Sequence, residues 1–161
     1  KVRMMVVVAD ANGDKEMDRV KQLAKERDLD KQIEFVGQVD HSELPLYYNA
    51  ADVCVVPSYY ESFGLVALES MACGTPVVAT RVGGLPTIVH HGRTGYLKSW
   101  RCPEAFANSV EMIISSDGLQ QSMGEAARRR AEGMGWDNVA GIMWDEYAVL
   151  TGNTPHDDNE T

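Results

Sequence analysis

The sequence predicts a doubly wound α/β domain, in which helices cover both faces of a parallel sheet. Two observations support this prediction: the strand-like segments are unbroken runs rich in β-branched residues, and helical patterns separate them along the chain. A strand that is buried on both faces needs apolar residues at every position, whereas a strand covered on one face alternates. The unbroken runs are residues 2–8, 33–36, 53–56 and 77–79.

Apolar residues at helical spacing mark the segments between and after these strands. The first helix has Met17, Val20 and either Leu23 or Ala24 on one face, which we expect to pack inward. In the last helix Trp136 and Trp144 fall within an amphipathic pattern, so both are predicted to be packing residues. The other helical patterns lie near residues 44–51, 64–74, 118–132 and after Pro103, and the last covers 136–150.

Charge and cysteine content limit the classes of partner. The 161 residues have a formal net charge of −9, which argues against nucleic acid as the main partner. The arginine run at 128–130 is interpreted as a solvated helix face. Cys54, Cys73 and Cys102 form no Cys-x-x-Cys pair, which argues against a disulfide framework and a zinc site. Without a membrane-spanning run or a signal-peptide pattern, we expect a cytoplasmic location.

The two ends of the chain predict a piece of a longer protein. Lys1 leads directly into the first strand without an initiator methionine. At the other end, residues 151–161 are polar and acidic, which is typical of a disordered tail. We therefore expect one amino-terminally truncated domain over residues 1–150, followed by a disordered tail at 151–161.

The segment from Pro57 to Pro76 has the most informative chemistry. A short helix is predicted to begin near Gly64 and to end at Gly74, with Glu61 and Glu69 beside its first two turns. The free N–H groups and the positive dipole end of a helix start form an anion site. Carboxylates suit vicinal hydroxyls because each oxygen can accept a hydrogen bond. A nucleotide sugar, which has both phosphates and hydroxyls, fits this combination.

The spacing of the two glutamates alone leaves two interpretations open. If the segment is helical throughout, eight steps span about 12 Å, which is the reach from a sugar past a diphosphate to a ribose. Alternatively, Glu61 only complements the helix dipole and Glu69 is a surface residue. The loops at residues 10–13, Gly37 and 83–84 follow other strands, and we expect them to converge with this segment at the carboxyl edge of the sheet.

The wider pattern resembles the retaining, nucleotide-sugar-dependent glycosyltransferases of the GT-B class, group 1 (family 4). The likeness rests on Glu61 and Glu69 with seven residues between them, set in the segment from Pro57 to Thr80. It continues through residues 35–37, 43–47, 50–53, 82–86 and 92–97, and it covers about residues 2–150. The sequence at residues 62–66 is most similar to the D-inositol-3-phosphate glycosyltransferase and sucrose-phosphate synthase branches.

This resemblance implies a Rossmann-like carboxy-terminal domain of a GT-B enzyme that lacks its first strand and helix. The enzyme would transfer a hexosyl unit from a UDP-, GDP- or ADP-sugar to an acceptor hydroxyl, with no metal and no cofactor beyond the nucleotide sugar. Glu69 would bind the ribose hydroxyls, and Glu61 would be the catalytic residue that holds the donor sugar. The implied donor-binding set is Glu61, Ser62, Phe63, Gly64, Leu65, Val66 and Glu69, with a base-side loop at Val36 and Gly37.

Two departures from the family pattern keep other functions open. The family's Gly-Arg-Leu…Lys-Gly segment, whose Arg and Lys clamp the diphosphate, is absent from these 161 residues, as is the acceptor-binding domain. Thr87 stands where many members carry Glu. The fragment alone is therefore expected to be inactive, and the parent protein would supply the acceptor site and any peripheral attachment to the inner membrane. The alternatives are a non-catalytic nucleotide-sugar-binding module and a plain α/β interaction domain with structural glutamates.

Overall fold

The computed structural model describes residues 2–7, 15–99 and 102–152, apart from the side chain of Glu16. These residues form two compact units, which divide between Leu46 and Tyr47. Each unit contains a parallel β-sheet and helices, so the α/β class predicted from the sequence is confirmed. The predicted tail lies outside the described residues from position 153 onward.

The first unit contains a two-stranded parallel sheet. β1 (Met4–Val7) pairs with β2 (Ile33–Gly37), and α1 (Lys15–Glu26) lies between them in the chain. Met4 lies opposite Ile33, and the register shifts between Val6 and Val7. Parallel strands need a crossover of this kind, because a tight turn reverses the chain and gives antiparallel neighbours.

Burial in the first unit is less complete than the sequence predicts. Met4, Met5 and Val7 are exposed, so the expectation that this run is buried on both faces is wrong. Met4 and Met5 are consecutive residues that point to opposite faces of the sheet, so neither face of β1 is fully covered. On α1, Met17 and Ala24 are buried. The expectation for α1 is wrong for Val20, which is exposed. Of the two alternatives Leu23 and Ala24, Ala24 is the residue that faces inward.

The second unit contains a three-stranded parallel sheet in the order β3 (Cys54–Val56), β4 (Val77–Thr80) and β5 (Gly95–Lys98). Val77 of the central strand lies opposite Cys54 on one side and Gly95 on the other. All four residues of β4 are buried, as its unbroken apolar run predicts. β5 was not among the four strands predicted from the sequence.

Helices cover both faces of this second sheet. The covering helices are α3 (Leu65–Ala72), α4 (Leu85–Ile88), α5 (Pro103–Ile114) and α6 (Asp117–Glu132). The chain also forms α7 (Trp136–Thr151) and α2 (Leu44–Ala50), in which the division between units falls. The larger core cluster joins α3, α4 and α6 to β4 through Met71, Val77, Ala79, Ile88 and Ala127. A second cluster joins α5 and α6 to the opposite face of β4 through Val78, Ile113 and Met123. Successive residues of β4 thus pack into two different core clusters on opposite faces of the sheet, as expected of a doubly wound domain.

The last helix differs from the prediction. Trp136 and Trp144 are 82% and 61% exposed, so their assignment as packing residues is wrong. Ala148 is the one residue of α7 that is buried. The apolar period identifies a helix face, but it does not show what covers that face. In the part of the chain that the structure describes, no helix is long and apolar enough to cross a membrane.

Candidate functional site

The site is built on the start of α3, which the sequence places close to where the structure has it. Gly64 is the N-cap residue and has φ 101° and ψ 41°, a left-handed conformation that favours glycine. A Cβ atom at this position would lie 3.0 Å from Cδ2 of Leu85 and 3.2 Å from Cδ1 of Ile88. The backbone angle therefore favours glycine here, and a larger residue would also have to displace the side chains of Leu85 and Ile88.

The first turn of α3 presents its backbone N–H groups to solvent. The N–H group of Leu68 donates to the carbonyl of Gly64, which closes the first helical turn. The N–H groups of Leu65 and Val66 precede that bond, so they have no acceptor within the helix and lie at the positive end of its dipole. The side chains of Leu65 and Val66 are 53% and 46% exposed. This helix start is consequently open to an anionic ligand.

Glu61 lies in the irregular turn before α3 and not in the helix. Its Oε1 atom accepts a hydrogen bond from the N–H group of Gly64 at 3.1 Å, and the residue is half-buried. The estimate of about 12 Å between the two glutamates assumed a continuous helix from Glu61 to Glu69. That assumption is not met, because the left-handed Gly64 separates Glu61 from the helix. The bond to Gly64 shows that Glu61 helps to fix the helix start. One oxygen is engaged in this way, and a carboxylate has two oxygens with about four acceptor positions.

Glu69 lies on α3 and accepts a hydrogen bond that the sequence did not predict. The phenol of Tyr48 donates to Oε2 of Glu69 at 2.9 Å, and both residues are half-buried. Burial, followed by the hydrogen bond and charge of Glu69, raises the pKa of Tyr48 above its usual range. The phenol thus stays protonated and remains a donor. The available signals were the helical pattern near residues 44–51, which contains Tyr48, and the carboxylate of Glu69 on an apolar helix.

The Gly83–Gly84 loop packs directly against the turn that carries Glu61. The N–H group of Gly84 donates to the carbonyl of Glu61 at 3.1 Å. A Cβ atom on Gly83 would lie 1.6 Å from that carbonyl oxygen, and one on Gly84 would lie 2.4 Å from the carbonyl oxygen of Phe63. The predicted convergence of these two loops is therefore confirmed. The loop at residues 10–13 lies outside the described residues.

The structure places the remaining predicted site residues as follows. Ser62 and Phe63 are exposed in the turn before α3, next to the open helix start. Val36 and Gly37 are half-buried at the end of β2, in the first unit. Their predicted role beside a nucleotide base stays a prediction. Trp100 and Arg101 lie outside the described residues.

Arg130 of α6 is hydrogen-bonded to the end of α4, the helix that follows the Gly83–Gly84 loop. Its guanidinium donates to the carbonyl oxygens of Thr87 and Ile88, at the end of α4. Thr87 also donates from its hydroxyl to the carbonyl of Gly84 at 2.6 Å, so it serves the packing of this loop. The interpretation of residues 128–130 as a solvated face holds for Arg128 and Arg129, which are exposed, and is wrong for Arg130.

Replacing Arg130 with methionine should destabilise the domain by about 1–2 kcal/mol, because two carbonyls at the end of α4 lose a charged donor while the aliphatic stem remains. Arg129→Met is the matched control. Arg129 is exposed and forms a 3.7 Å ion pair with Glu125 one turn away, so its loss should cost about 0.5 kcal/mol or less. Urea unfolding of both variants measures the difference. Equal destabilisation would show that the contacts of Arg130 with α4 contribute nothing.

His91 and Cys54 contribute to the packing of the fold. The Nδ1 atom of His91 accepts from the N–H group of Leu97 at 3.0 Å, and the ring meets Tyr96 edge-on. Cys54 packs against the larger core cluster, and burial raises the pKa of its thiol. All three cysteines are free. Among residues 2–7, 15–99 and 102–152 no group of three or more His, Cys, Asp or Glu side chains is arranged to hold a metal ion.

Comparison with known proteins defines the class to which this fold and site belong. The family model described as glycosyl transferases group 1 matches residues 1–130. The chain therefore belongs to the glycosyl transferases group 1 family. Its α/β fold with parallel sheets is that of the carboxy-terminal domain of GT-B glycosyltransferases.

Particular relatives place the chain more closely within the family. It is 40% identical over 143 residues to D-inositol 3-phosphate glycosyltransferase from Pseudarthrobacter chlorophenolicus. This match covers 89% of this chain and 34% of the relative. Sucrose-phosphate synthase from Thermosynechococcus elongatus superimposes with a TM-score of 0.82 and 39% identity, covering 92% of this chain and 38% of that one. HepE from Anabaena, solved in complex with UDP-glucose, superimposes with a TM-score of 0.78 and 26% identity. The match covers 94% of this chain and 41% of HepE. The chain thus spans about a third of the curated relative's length.

Proposed function

We propose that this chain is the donor-binding domain of a retaining glycosyltransferase, which transfers a hexosyl unit from a nucleoside-diphosphate sugar to an acceptor hydroxyl. The observation that supports this most strongly is the open start of α3 with Glu61 and Glu69 on either side of it. Anionic phosphates suit the helix start, and sugar hydroxyls suit the carboxylates. The likeness to HepE, which is solved with UDP-glucose, supports the same class of ligand.

Each part of the donor has a proposed partner in this site. Glu69 accepts hydrogen bonds from the ribose hydroxyls, and Glu61 accepts them from the hydroxyls of the donor sugar. The backbone N–H groups of Phe63, Leu65 and Val66 donate to the sugar and the diphosphate, while that of Gly64 stays bonded to Glu61. Glu61 is the catalytic residue in the sense that it holds the reacting sugar in place.

The proposed reaction needs no protein nucleophile. The bond between the anomeric carbon and the diphosphate oxygen breaks, and the acceptor oxygen bonds to that carbon on the same face. The acceptor proton passes to the departing diphosphate, so the anomeric configuration is retained. The open helix start of α3 stabilises the charge that develops on this leaving group.

We expect the chain by itself to bind donors without transferring the sugar. In the family, an Arg and a Lys in a Gly-Arg-Leu…Lys-Gly segment complete the neutralisation of the leaving group, and the 161 residues contain no such segment. The acceptor is proposed to bind to a further domain of a longer protein. Acceptor-dependent release of free nucleotide from the isolated chain would contradict this division of roles.

Calorimetric titration of the chain with UDP, GDP, ADP and UDP-glucose tests the proposal. We expect at least one nucleotide to bind at millimolar concentration or below, and its sugar conjugate to bind more tightly. Failure of all of them to bind would exclude a donor site and would leave the interaction-domain alternative.

The substitution Glu61→Gln tests the proposed contact with the sugar while keeping the hydrogen bond that Glu61 forms within the fold. The amide oxygen can still accept from the N–H group of Gly64, while the charge that the sugar hydroxyls would meet is lost. If UDP-glucose is the conjugate that binds, we expect its affinity to fall about tenfold and the affinity for UDP to stay within about twofold. Equal losses for both ligands would contradict a role of Glu61 at the sugar.

A further inference from the structure

Tyr48 connects α2 to Glu69 across a long stretch of sequence. Its phenol donates to Oε2 of Glu69 at 2.9 Å, although the two residues are 21 positions apart. Without such a bond, a glutamate side chain has three rotatable bonds and samples several rotamers. The phenol selects one of these orientations. A tyrosine ring has only two torsions, so a fixed backbone also fixes the position of its hydroxyl group.

The backbone of Tyr48 is itself anchored to the helix that carries Glu69. The hydroxyl of Thr75 donates to the carbonyl of Tyr48 at 2.7 Å, and Thr75 is buried. Ser70 of α3 donates from its hydroxyl to the carbonyl of Thr75 at 3.1 Å, and its own carbonyl accepts from the N–H group of Thr75 at 3.0 Å. A closed ring of hydrogen bonds therefore runs from α3 through Thr75 and Tyr48 and back to Glu69.

This ring fixes the carboxylate relative to the start of the same helix. Glu69 and Ser70 are neighbours on α3, and α3 also presents the N–H groups proposed for the diphosphate. The ribose and the diphosphate of a nucleotide are joined covalently, so the carboxylate and the helix start must keep a constant separation and angle.

We propose that Tyr48 is a positioning residue, which holds the Glu69 carboxylate in the orientation that receives the 2′- and 3′-hydroxyls of the nucleotide ribose. The inference rests on the donor-binding function proposed above and adds a residue that neither the sequence nor the comparisons assign to the site. Tyr48 acts through Glu69 and does not contact the nucleotide. Its removal should therefore affect recognition of the ribose hydroxyls and spare the contacts to phosphate and base.

Discrimination between ribose and dideoxyribose provides the test. The wild-type chain and Tyr48→Phe are titrated with UDP and with 2′,3′-dideoxy-UDP, or with the corresponding pair of whichever nucleotide binds. We expect the wild-type chain to prefer the ribonucleotide by about tenfold or more, since two hydroxyls contribute bonds to a charged acceptor. In Tyr48→Phe the preference should fall at least threefold, through weaker binding of the ribonucleotide with the affinity for the dideoxy form unchanged.

Controls separate positioning from a general effect on the fold. Tyr47→Phe makes the same chemical change one residue earlier on α2 and should leave the preference intact. Combining Tyr48→Phe with Glu69→Ala should reduce the affinity no further than Glu69→Ala alone, because the phenol acts through the carboxylate. If Tyr48→Phe unfolds, Thr75→Val removes the anchor of the Tyr48 backbone instead and should lower the preference in the same direction.

The outcomes distinguish this inference from the function on which it rests. If the wild-type chain binds both forms equally, the proposed ribose contact of Glu69 fails, and the positioning role fails with it. If the wild-type chain prefers the ribonucleotide and Tyr48→Phe keeps the full preference, only the positioning role is overturned. Equal losses for both nucleotides in Tyr48→Phe would assign Tyr48 a structural role and would also overturn it.

Discussion

Gly83→Ala is expected to destabilise the second unit by at least about 3 kcal/mol and to abolish donor binding at accessible concentrations. The new Cβ atom would lie 1.6 Å from the carbonyl oxygen of Glu61, and backbone atoms cannot turn aside as a side-chain end can. Gly83 also has φ 49°, which disfavours any other residue. The turn that carries Glu61 would have to move away from the glycine loop. Urea unfolding followed by circular dichroism measures the loss.

A glycine in open space provides the control for this substitution. Gly141 lies inside α7, and a Cβ atom there would meet nothing within 4 Å. Gly141→Ala should therefore leave stability unchanged or raise it by up to about 1 kcal/mol, because alanine favours the helix. A Gly83→Ala variant as stable as Gly141→Ala would show that the two loops do not pack as closely as the structure indicates.

Glu69→Ala is expected to weaken binding of every nucleoside diphosphate and its sugar conjugate by ten- to a hundredfold. Loss of hydrogen bonds to a charged acceptor costs about 1.5–3 kcal/mol, which corresponds to that range of affinity. Because Glu69 is proposed to meet the ribose, the loss should be the same with and without the sugar. This pattern differs from that expected of Glu61→Gln, which should affect only the sugar conjugate. Calorimetric titration with UDP and UDP-glucose distinguishes the two patterns.

The matched control for Glu69 is another glutamate on a helix of the same unit. Glu111 lies exposed on α5, and Glu111→Ala removes the same charge from the chain. We expect it to leave nucleotide affinity within about twofold, since a distant exposed charge is screened by salt. Thermal unfolding should show that Glu69→Ala is folded at the titration temperature. Wild-type affinity in a folded Glu69→Ala variant would remove the main support for a donor site.

Local patterns predicted the parts of the fold that depend on short-range sequence. The run Val77–Ala79 gave a central strand buried on both faces, and Gly64 and Gly74 bracketed a helix that the structure places at Leu65–Ala72. Pro103 begins α5, as its preference for the first helical position predicts. In each of these cases the local sequence contains the physical reason, so no knowledge of distant neighbours was needed.

Contacts between distant segments could not be predicted in the same way. The bond from Tyr48 to Glu69 depends on the angle at which α2 meets α3, and no spacing along the chain encodes that angle. The exposure of Trp136 and Trp144 is a further example, since a helical period identifies an apolar face and not its partner. For Glu61, the estimate of about 12 Å assumed that the segment is helical throughout, and the left-handed Gly64 separates Glu61 from the helix instead.

The exposed side chains at the start of α3 have a consequence for how donor preference can change. Main-chain N–H groups are the proposed partners of the diphosphate, and every amino acid except proline supplies one. The side chains of Ser62, Phe63, Leu65 and Val66 are exposed. Substitutions there can alter the walls around a sugar while phosphate recognition remains. Directed variation at these four positions is therefore a route to new donors that leaves Gly64 and the folded scaffold intact.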